Sequence, residues 1–502
     1  MLLFFVFIIR IDKIFIWEMK YMAQSAKKDL TLLHALITVF LMFGFAQVVP
    51  PLGSITPYGM KILGIFIGLL YGWTASNLIW PTFLGMIALV STGAFTMKEF
   101  FALSFGNETV VFLMVLFVFT GLVDAVGLIK FIANWFVSRK CVNGRPWVFS
   151  TLVIFGAFVA GGFINMFAAL IVFWGIIYIV SDMFGFKPYD KYPTLMIFGV
   201  IFMAQIGFCV FPFKVVVYML LGVFKTISGL QVDFLKYFLF TFPLGLIILC
   251  AFVLLCRFVL RPDVSHLYEI TPERFAQKLT LNGEQKIGIG FLMALFVLLF
   301  LPSVLPDGTA LKTMLNTVGS SGTIMVILGL LTIWQYQHKP LIDFGQAAAK
   351  GVGWDTIIIT VTILPVCNIL TADVTGIKAF LVAQLGPMLS GRSAMVFSIV
   401  IIAIAMITTN ILNNAVVGII LLSITFSLSA TIPINSIAIA ALIIFCAHIA
   451  IVTPAASIYG ALLYSNGDWI KPRDGYKYGF ITVLMTLILT ATIGLAWANF
   501  IF

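Results

Sequence analysis

The sequence predicts an all-α polytopic membrane protein, with about eleven transmembrane helices and two re-entrant hairpins arranged as two repeats. Of its 502 residues, 62% are hydrophobic and only 10% are charged, whereas about a quarter of the residues in soluble domains are charged. The apolar residues form blocks long enough to cross a hydrocarbon core of about 30 Å. Several polar features also recur in the two halves of the chain. These three observations determine the predicted fold class.

Each long apolar block predicts at least one membrane-spanning helix, because backbone polar groups in lipid must pair within the chain. The clearest blocks are residues 30–49, 110–123, 234–260, 287–301 and 478–502. Short polar connectors separate the blocks, and none is as long as a soluble domain of roughly 50 residues. We therefore expect no separate catalytic or regulatory domain.

The net charge is +10, from 29 basic and 19 acidic residues. Because the basic residues lie in connectors beside apolar blocks, they fit the positive-inside pattern of membrane proteins and do not predict a nucleic-acid partner. The expected partner is the lipid bilayer. Residues 1–30 are predicted to be a cytoplasmic or interfacial segment, and the protein is predicted to be multi-pass in the cell membrane, of the bacterial inner-membrane kind. The basic residues before the first long block are Arg10, Lys13, Lys20, Lys27 and Lys28.

The longest polar stretch, residues 261–286, divides the chain into a first repeat at 31–260 and a second at 287–502. Asp124 and Asp373 lie 249 residues apart, and the same offset relates Gly127 to Gly376 and Asn165 to Asn414. Internal duplication is typical of transporter folds, whose binding sites lie where the repeats meet.

Two long uncharged stretches predict re-entrant hairpins with polar tips. Residues 147–181 are interrupted near Asn165, and residues 394–429 are interrupted by Thr409, Asn410, Asn413 and Asn414. Each stretch is too long for one ordinary span of about 20 residues. Backbone that leaves the helix at membrane depth must be covered by protein or line a water-filled cavity.

Downstream of each tip, a proline interrupts an apolar segment, at Pro212 in the first half and at Pro454 in the second. Paired broken helices are the best sequence indication of a binding site near the membrane midplane. The N-termini of such half-helices favour anions, and freed carbonyls are available to cations.

These motifs resemble those of the divalent anion:sodium symporter family, within the ion transporter superfamily, over roughly residues 31–502. The family has a Ser-Asn-Thr triplet at each hairpin tip and a Thr-Pro-Pro-Asn-like turn at each broken helix. Residues 164–166 and 413–415 keep the central asparagines, and residues 452–456 are the closest match to a turn. In the first turn, Phe211 stands at the threonine position and Lys214 at the asparagine position.

The resemblance implies a homodimer that carries a dicarboxylate, citrate or sulfate by an elevator motion, with sodium near each tip. Ile164, Met166 and Phe211 replace side chains that would supply oxygen ligands to a hard cation. Coupling to sodium, to protons, or exchange without a coupling ion therefore all stay open. No cofactor is predicted; sodium is expected only as a candidate coupling ion.

We predict a substrate- and ion-binding region and one proton-relay candidate. Lys214 is the sharpest hypothesis, because a lysine within an apolar segment usually faces a cavity or a partner; the alternative is a lysine whose ammonium snorkels to water. His448 is the relay candidate, although a packing role is the commoner one for a lone histidine. The predicted binding residues are Asn165, Pro212, Lys214, Asn413, Asn414, Thr453, Pro454 and Ser457.

The sequence therefore predicts a secondary transporter of small organic anions and not an enzyme. It contains neither a phosphate-binding Gly-x-x-x-x-Gly-Lys-Ser/Thr loop nor a His-Glu-x-x-His metal motif, and no metal centre is predicted. The alternative is an anion channel or an uncoupled facilitator, because a pore also requires broken helices and polar tips.

Overall fold

The computed structural model describes residues 27–125, 127–271, 281–336, 339–340, 343–389, 393–428, 434–454 and 456–502. Regular structure in these residues is almost entirely helical, as predicted. The exception is one short antiparallel ladder in which β1 (Gln335–Tyr336) pairs with β2 (Lys339–Pro340).

The first half of the chain forms twelve α-helices in the described residues. They are α1 (Lys27–Val39), α2 (Phe45–Val48), α3 (Pro57–Ala75), α4 (Ile79–Ser91), α5 (Met97–Phe105), α6 (Glu108–Ala125), α7 (Leu128–Val137), α8 (Pro146–Phe163), α9 (Met166–Met183), α10 (Lys191–Val210), α11 (Val215–Ser228) and α12 (Phe234–Leu254). A π-helix joins α1 to α2 (Phe40–Gly44), another extends α12 (Leu255–Leu260), and a 3₁₀ turn precedes α8 (Lys140–Val142).

The second half forms eleven α-helices and one π-helix where the structure describes it. They are α13 (Gly283–Val304), α14 (Ala310–Ile333), α15 (Phe344–Gly351), α16 (Trp354–Leu370), α17 (Ile377–Leu389), α18 (Ala394–Thr408), α19 (Asn414–Leu428), α20 (Ser436–Ala447), α21 (Ile458–Ser465), α22 (Pro472–Leu489), the π-helix Thr490–Gly494 and α23 (Leu495–Ile501). Two 3₁₀ turns, Ser265–Glu269 and Asp373–Thr375, complete the described elements.

Nine helices in the described residues are long and apolar enough to cross a membrane, or ten if α5 and α6 count as one broken span. The sequence predicted about eleven. The difference arises because several apolar segments, including α18, α19 and α20, are helices of only 10–17 residues. Short helices of this kind are expected where a span is interrupted or turns back within the membrane.

Polar side chains set many of the helix starts in these apolar blocks. Thr56 accepts a hydrogen bond from the Gly59 amide at the start of α3, and Asp233 accepts one from the Lys236 amide at the start of α12. Asn282 and Gln285 form a reciprocal capping box at α13. Such caps satisfy amides that would otherwise lack partners in the first turn.

The described chain folds as two compact units. The smaller unit contains residues 27–100 together with 372–380. In it, the segment before α3 is tied to the Asp373–Thr375 turn: the Thr56 amide donates to the Thr375 carbonyl at 3.0 Å, and the Thr56 hydroxyl donates to the Val374 carbonyl at 2.9 Å. A side chain on Gly376 would collide with the Ser54 carbonyl, and its φ of +67° also favours glycine.

The larger unit contains residues 101–371 and 381–502, apart from those outside the described ranges. Its core is α10, which is almost completely buried. Helices α8, α9, α12, α21 and α22 pack around α10. Glycines permit the closest approach: a Cβ on Gly207 would overlap the Phe158 carbonyl, and one on Gly161 would overlap the Ala204 carbonyl.

The boundaries predicted at residues 260 and 287 were placed by hydropathy, whereas the two compact units are defined by contacts between residues. The two kinds of division do not test each other, so the two repeats stay a prediction. Residues 272–280 of the predicted connector, and residues 1–26 of the predicted N-terminal segment, lie outside the described residues. The order of elements is nevertheless parallel in the two halves: a helical pair with a polar tip, a helix, a break, and a second helix.

Candidate functional site

Hairpin 1 consists of α8 and α9, which meet at a tip formed by Ile164 and Asn165. The first arm ends at Phe163 because Ile164 leaves the helical conformation. Asn165 then begins the second arm: its side-chain oxygen accepts hydrogen bonds from the amides of Phe167 at 2.8 Å and Ala168 at 3.4 Å. The first predicted helix–tip–helix element is therefore present, at the predicted place.

Break 1, residues 211–214, separates α10 from α11, as the proline predicted. Pro212 is buried within it. Lys214 is the residue immediately before α11, and its side chain is only 8% exposed. Its ammonium donates a hydrogen bond to the Ile164 carbonyl at 2.9 Å. Lys214 therefore does not reach bulk water; it joins break 1 to the tip of hairpin 1.

Aromatic rings occupy the space on the other side of break 1. The Phe211 ring centroid lies 4.7 Å from that of Phe163 and 5.2 Å from those of Phe238 and Phe296. The Phe213 ring stacks on Phe296 at 5.0 Å. Where the resembled family has a threonine hydroxyl, this chain therefore has an apolar cluster that supplies no oxygen ligand from these side chains.

Hairpin 2 consists of α18 and α19, with a tip at residues 409–413. Its organising side chain is Asn410, which is 5% exposed. The Asn410 amide nitrogen donates to the carbonyls of Met406 and Ile449, both at 2.7 Å. Its oxygen accepts from the amides of Ile451 at 2.9 Å and Val452 at 2.8 Å. One asparagine thus satisfies backbone groups at the end of α18 and within the next interruption.

That interruption is break 2, residues 448–457, between α20 and α21. The Thr453 hydroxyl donates to the Asn410 carbonyl at 2.7 Å, so Thr453 does contact hairpin 2. The Ser457 hydroxyl donates to the Ala450 carbonyl at 2.7 Å and accepts from the Gly460 amide at 3.0 Å. Pro454 is half-buried between them. Break 2 is therefore held by side-chain hydrogen bonds at both ends.

The three predicted asparagines act first as helix caps in this conformation. Asn165 caps α9, as described above. Asn413 and Asn414 both accept from the Ala415 amide at the start of α19, at 3.0 and 2.9 Å. All three side chains are partly exposed. Their predicted role in binding stays a prediction.

Helix α10 brings the two halves of the predicted site together. Its Gln205 side-chain nitrogen donates to the Ala450 carbonyl of break 2 at 3.2 Å. One turn further along α10, the centroid of the Phe208 ring lies 6.0 Å from that of His448 and 6.5 Å from that of Tyr459. The Lys214 ammonium lies 5.7 Å from the centroid of the same Phe208 ring. The structure therefore places Lys214 and His448 around one phenylalanine.

Two important residues were outside the predicted set. Asn410 was recognised as part of the second tip, but its sequence signal did not distinguish it from the neighbouring Thr409 and Asn413. Gln205 lies in an apolar segment, where a lone amide was a signal that could have been used. The Thr409 hydroxyl, which donates to the Ala447 carbonyl, adds a further bond from hairpin 2 to the last residue of α20.

The stretches of chain at the centre of this region, residues 147–181, 192–224 and 394–467, carry one formal charge. Residues 147–181 and 394–467 contain no aspartate, glutamate, lysine or arginine, and Lys214 is the single charged residue between Lys191 and Lys225. Two helical hairpins, two broken helices and one buried ammonium, together with the long apolar helices, are the features expected of a membrane transporter. They do not define an enzyme.

Comparison with known proteins assigns this transporter to a family. Residues 69–447 match the family described as "Citrate transporter" (CitMHS), and the chain belongs to that family, within the ion transporter superfamily. The assignment agrees with the predicted superfamily, whereas the predicted divalent anion:sodium symporter family is not the one matched. No functionally curated protein matches the sequence.

Two solved transporter structures have a similar fold. The YdaH transporter of Alcanivorax borkumensis is 14% identical, with a TM-score of 0.56 over 94% of this chain and 98% of its own. MtrF of Neisseria gonorrhoeae, described as illuminating a class of antimetabolite efflux pumps, is 12% identical, with a TM-score of 0.51 over 91% of this chain and 97% of its own. At these identities the similarity establishes the fold alone.

Proposed function

We propose that the protein is a secondary transporter of small organic anions, with di- and tricarboxylates such as citrate as the substrate class. The observation that carries the proposal is the placement of Lys214. Its buried ammonium, 8% exposed, stands at the tip of hairpin 1 and directly before the N-terminus of α11. The family description supports citrate as the first substrate to test.

The electrostatics of this region favour an anion. A helix N-terminus carries a partial positive charge from its unpaired amides, and the formal charge of Lys214 adds to it. Residues 147–181, 192–224 and 394–467, which contain both tips and both breaks, contribute a formal charge of +1 in total. Since Coulomb interactions strengthen away from bulk water, a carboxylate that approaches break 1 is attracted more strongly than at the protein surface.

In this proposal, the ammonium of Lys214 takes the place of the sodium ion that the resemblance implies at the first tip. The apolar rings around Phe211 and Phe213 support this substitution, because a hard cation requires oxygen ligands. Transport then depends on a proton gradient or on exchange. The divalent anion:sodium symporter family remains a proposed relative at the level of these motifs.

We further propose a homodimer with inverted repeats and elevator-type movement, in a bacterial inner membrane. The parallel order of hairpin, helix and broken helix in both halves supports the repeats. Alternating access of this kind moves substrate without a continuous pore.

The test is uptake of labelled di- and tricarboxylates into proteoliposomes, with sodium and proton gradients imposed separately. We expect uptake of at least one carboxylate, driven by a proton gradient or by preloaded substrate, and no stimulation by sodium. Sodium-driven uptake would overturn the replacement of sodium by Lys214. Failure of every carboxylate to enter under any gradient would overturn the substrate class.

A further inference from the structure

The side chain of His448 presents a buried hydrogen-bond acceptor at break 2. The ring is 2% exposed, and its Nδ1 lies 2.7 Å from the Ile444 carbonyl. Because a carbonyl can only accept, Nδ1 must carry the proton of this hydrogen bond. In a neutral imidazole the other nitrogen is then a bare acceptor. That atom, Nε2, has no hydrogen-bond partner in the described protein.

Gln205 presents a second acceptor of the same kind. Its side chain is 2% exposed, and its nitrogen donates to the Ala450 carbonyl, which fixes the orientation of the amide. The amide oxygen, Oε1, therefore also accepts, and it too lacks a partner among the described residues. Buried polar atoms are rarely left in this state, because each has lost its hydrogen bonds to water without gaining a partner in the protein.

The two acceptors belong to one small region. Gln205 bonds residue 450, two positions after His448, and Phe208, one turn after Gln205 on α10, lies against the His448 ring at 6.0 Å. Two acceptors cannot form a hydrogen bond with each other, but a single added proton makes one of them a donor to the other. A protonated Nε2 becomes a donor, and an amide oxygen is a suitable acceptor for it.

A proton is the smallest species that these two buried acceptors could bind. Both atoms are shielded from water by the packing around them, so a carboxylate or a hydrated ion does not reach them in this conformation. Break 2 can rearrange without unwinding a helix, because side-chain hydrogen bonds, and not a continuous helix, hold its residues in place.

We propose that His448 and Gln205 together form a proton-binding site that couples proton movement to anion transport. When break 2 rearranges, hydronium delivers a proton to His448 Nε2, leaving water, and the new N–H donates to Gln205 Oε1; release of the proton to water on the other side reverses the step. The proposal deepens the proposed function and rests on it. It names the coupling ion and the residues that hold it.

The charge balance explains why the proton and the substrate would bind together. An imidazolium within this apolar packing is costly alone, and the Lys214 ammonium, which also lies beside Phe208, opposes it. A bound carboxylate offsets both positive charges. By linkage, the anion raises the affinity for the proton and the proton raises the affinity for the anion by the same factor.

Few other titratable groups face His448. Helices α18, α19 and α23, which pack against α20, contain none. The titratable groups of the surrounding elements are Cys446 on α20, Lys191, Tyr192 and Cys209 on α10, Tyr459 and Tyr464 on α21, and Lys214, Tyr218 and Lys225 at or on α11.

The experiment measures substrate exchange and proton movement in the same proteoliposomes. Exchange of labelled citrate across the bilayer tests transport, and a trapped pH-sensitive dye reports protons that enter with citrate. We expect the native protein to acidify the interior during net uptake. His448→Asn keeps an N–H for the Ile444 carbonyl but cannot be protonated, so the number of protons that enter per citrate taken up should fall at least tenfold. His266→Asn, in the exposed connector, is the control.

Gln205→Glu provides the second test. A carboxylate beside Nε2 should hold the proton more tightly and shift the alkaline limit of net uptake upward by about one pH unit. Native exchange without acidification would overturn the proton site and leave the transporter intact. The proton site would also be overturned if His448→Asn retained proton movement. It would be overturned as well if net uptake by Gln205→Glu became weaker at every pH without any shift of its alkaline limit. Loss of exchange in the native protein would instead overturn the proposed function.

Discussion

Lys214 is the residue at which sequence and structure agree most usefully. The sequence alone left two readings, a snorkelling lysine and a buried functional one. The low exposure and the bond to the Ile164 carbonyl favour the second. Neither fact is local in sequence, because Ile164 belongs to hairpin 1, fifty residues earlier. The sequence therefore identified Lys214 as a candidate, but its neighbours are known only from the folded structure.

Replacing Lys214 with methionine should remove the attraction for carboxylates while keeping most of the side-chain volume. We expect uptake at low substrate concentration to fall at least tenfold, which corresponds to about 1.4 kcal/mol. The matched control is Lys225→Met, on the same helix: Lys225 pairs with Glu108 at 2.9 Å, with both side chains about half exposed, and such pairs contribute little. Equal uptake by both variants would contradict the assigned role of Lys214.

Asn410 stabilises hairpin 2 and break 2 at once, so its loss should affect folding more than a simple cap does. Asn410→Ala leaves the amides of Ile451 and Val452 without their acceptor, and we expect a cost of about 3 kcal/mol or more. Asn435→Ala removes an exposed cap of α20 and should cost about 1 kcal/mol. Thermal unfolding in detergent compares them; similar melting temperatures for the two variants would be inconsistent with this role.

At the scale of elements, apolar block length and interrupting polar residues predicted both helix–tip–helix pairs and both breaks, whereas the re-entrant course of the two pairs stays a prediction. Both predicted interruptions are present, at residues 211–214 and 448–457. Helix length was less predictable. Hydropathy does not distinguish the 18-residue arms of hairpin 1 from the 15-residue arms of hairpin 2, because tip residues and caps set where each helix ends.

The close packing of α8 on α10 depends on glycine and gives a prediction at this scale. In Gly207→Ala, the added Cβ would overlap the Phe158 carbonyl, so the two helices must separate, at a cost of about 1–3 kcal/mol or more. In Gly175→Ala, on α9, nothing lies within 4 Å of the new atom, and alanine favours the helix by up to about 1 kcal/mol.

We expect Gly207→Ala to lower the melting temperature and the uptake rate, because α10 carries Gln205 and ends at break 1. Gly175→Ala should match or exceed the native melting temperature. A Gly207→Ala protein as stable and active as the Gly175→Ala protein would argue against tight α8–α10 packing as the framework of the site.

At the scale of the whole molecule, composition and block length predicted an all-helical, multi-pass membrane protein, and the repeated polar tips and broken helices predicted a transporter. The particular family was not predicted, because the motifs at the tips are altered in this chain: Ile164, Met166 and Phe211 stand where the resembled family has hydroxyls. The match to the citrate transporter family extends over residues 69–447, well beyond the tips, and so depends on the general pattern of the helices.

The division into compact units was also beyond sequence reasoning. Residues 372–380 join the N-terminal helices through bonds such as that of Thr56 to Thr375. Those partners are more than three hundred residues apart in sequence, and no hydropathy pattern relates them.

The central claim, that this protein is a carrier of small organic anions, is tested most directly by counterflow. Proteoliposomes loaded with unlabelled citrate are diluted into a trace of labelled citrate, with no ion gradient and with the membrane potential clamped. A carrier with alternating access should accumulate label transiently above its external concentration, and Lys214→Met should lose that overshoot. Label that only equilibrates, without an overshoot, would contradict a carrier and indicate an anion channel instead.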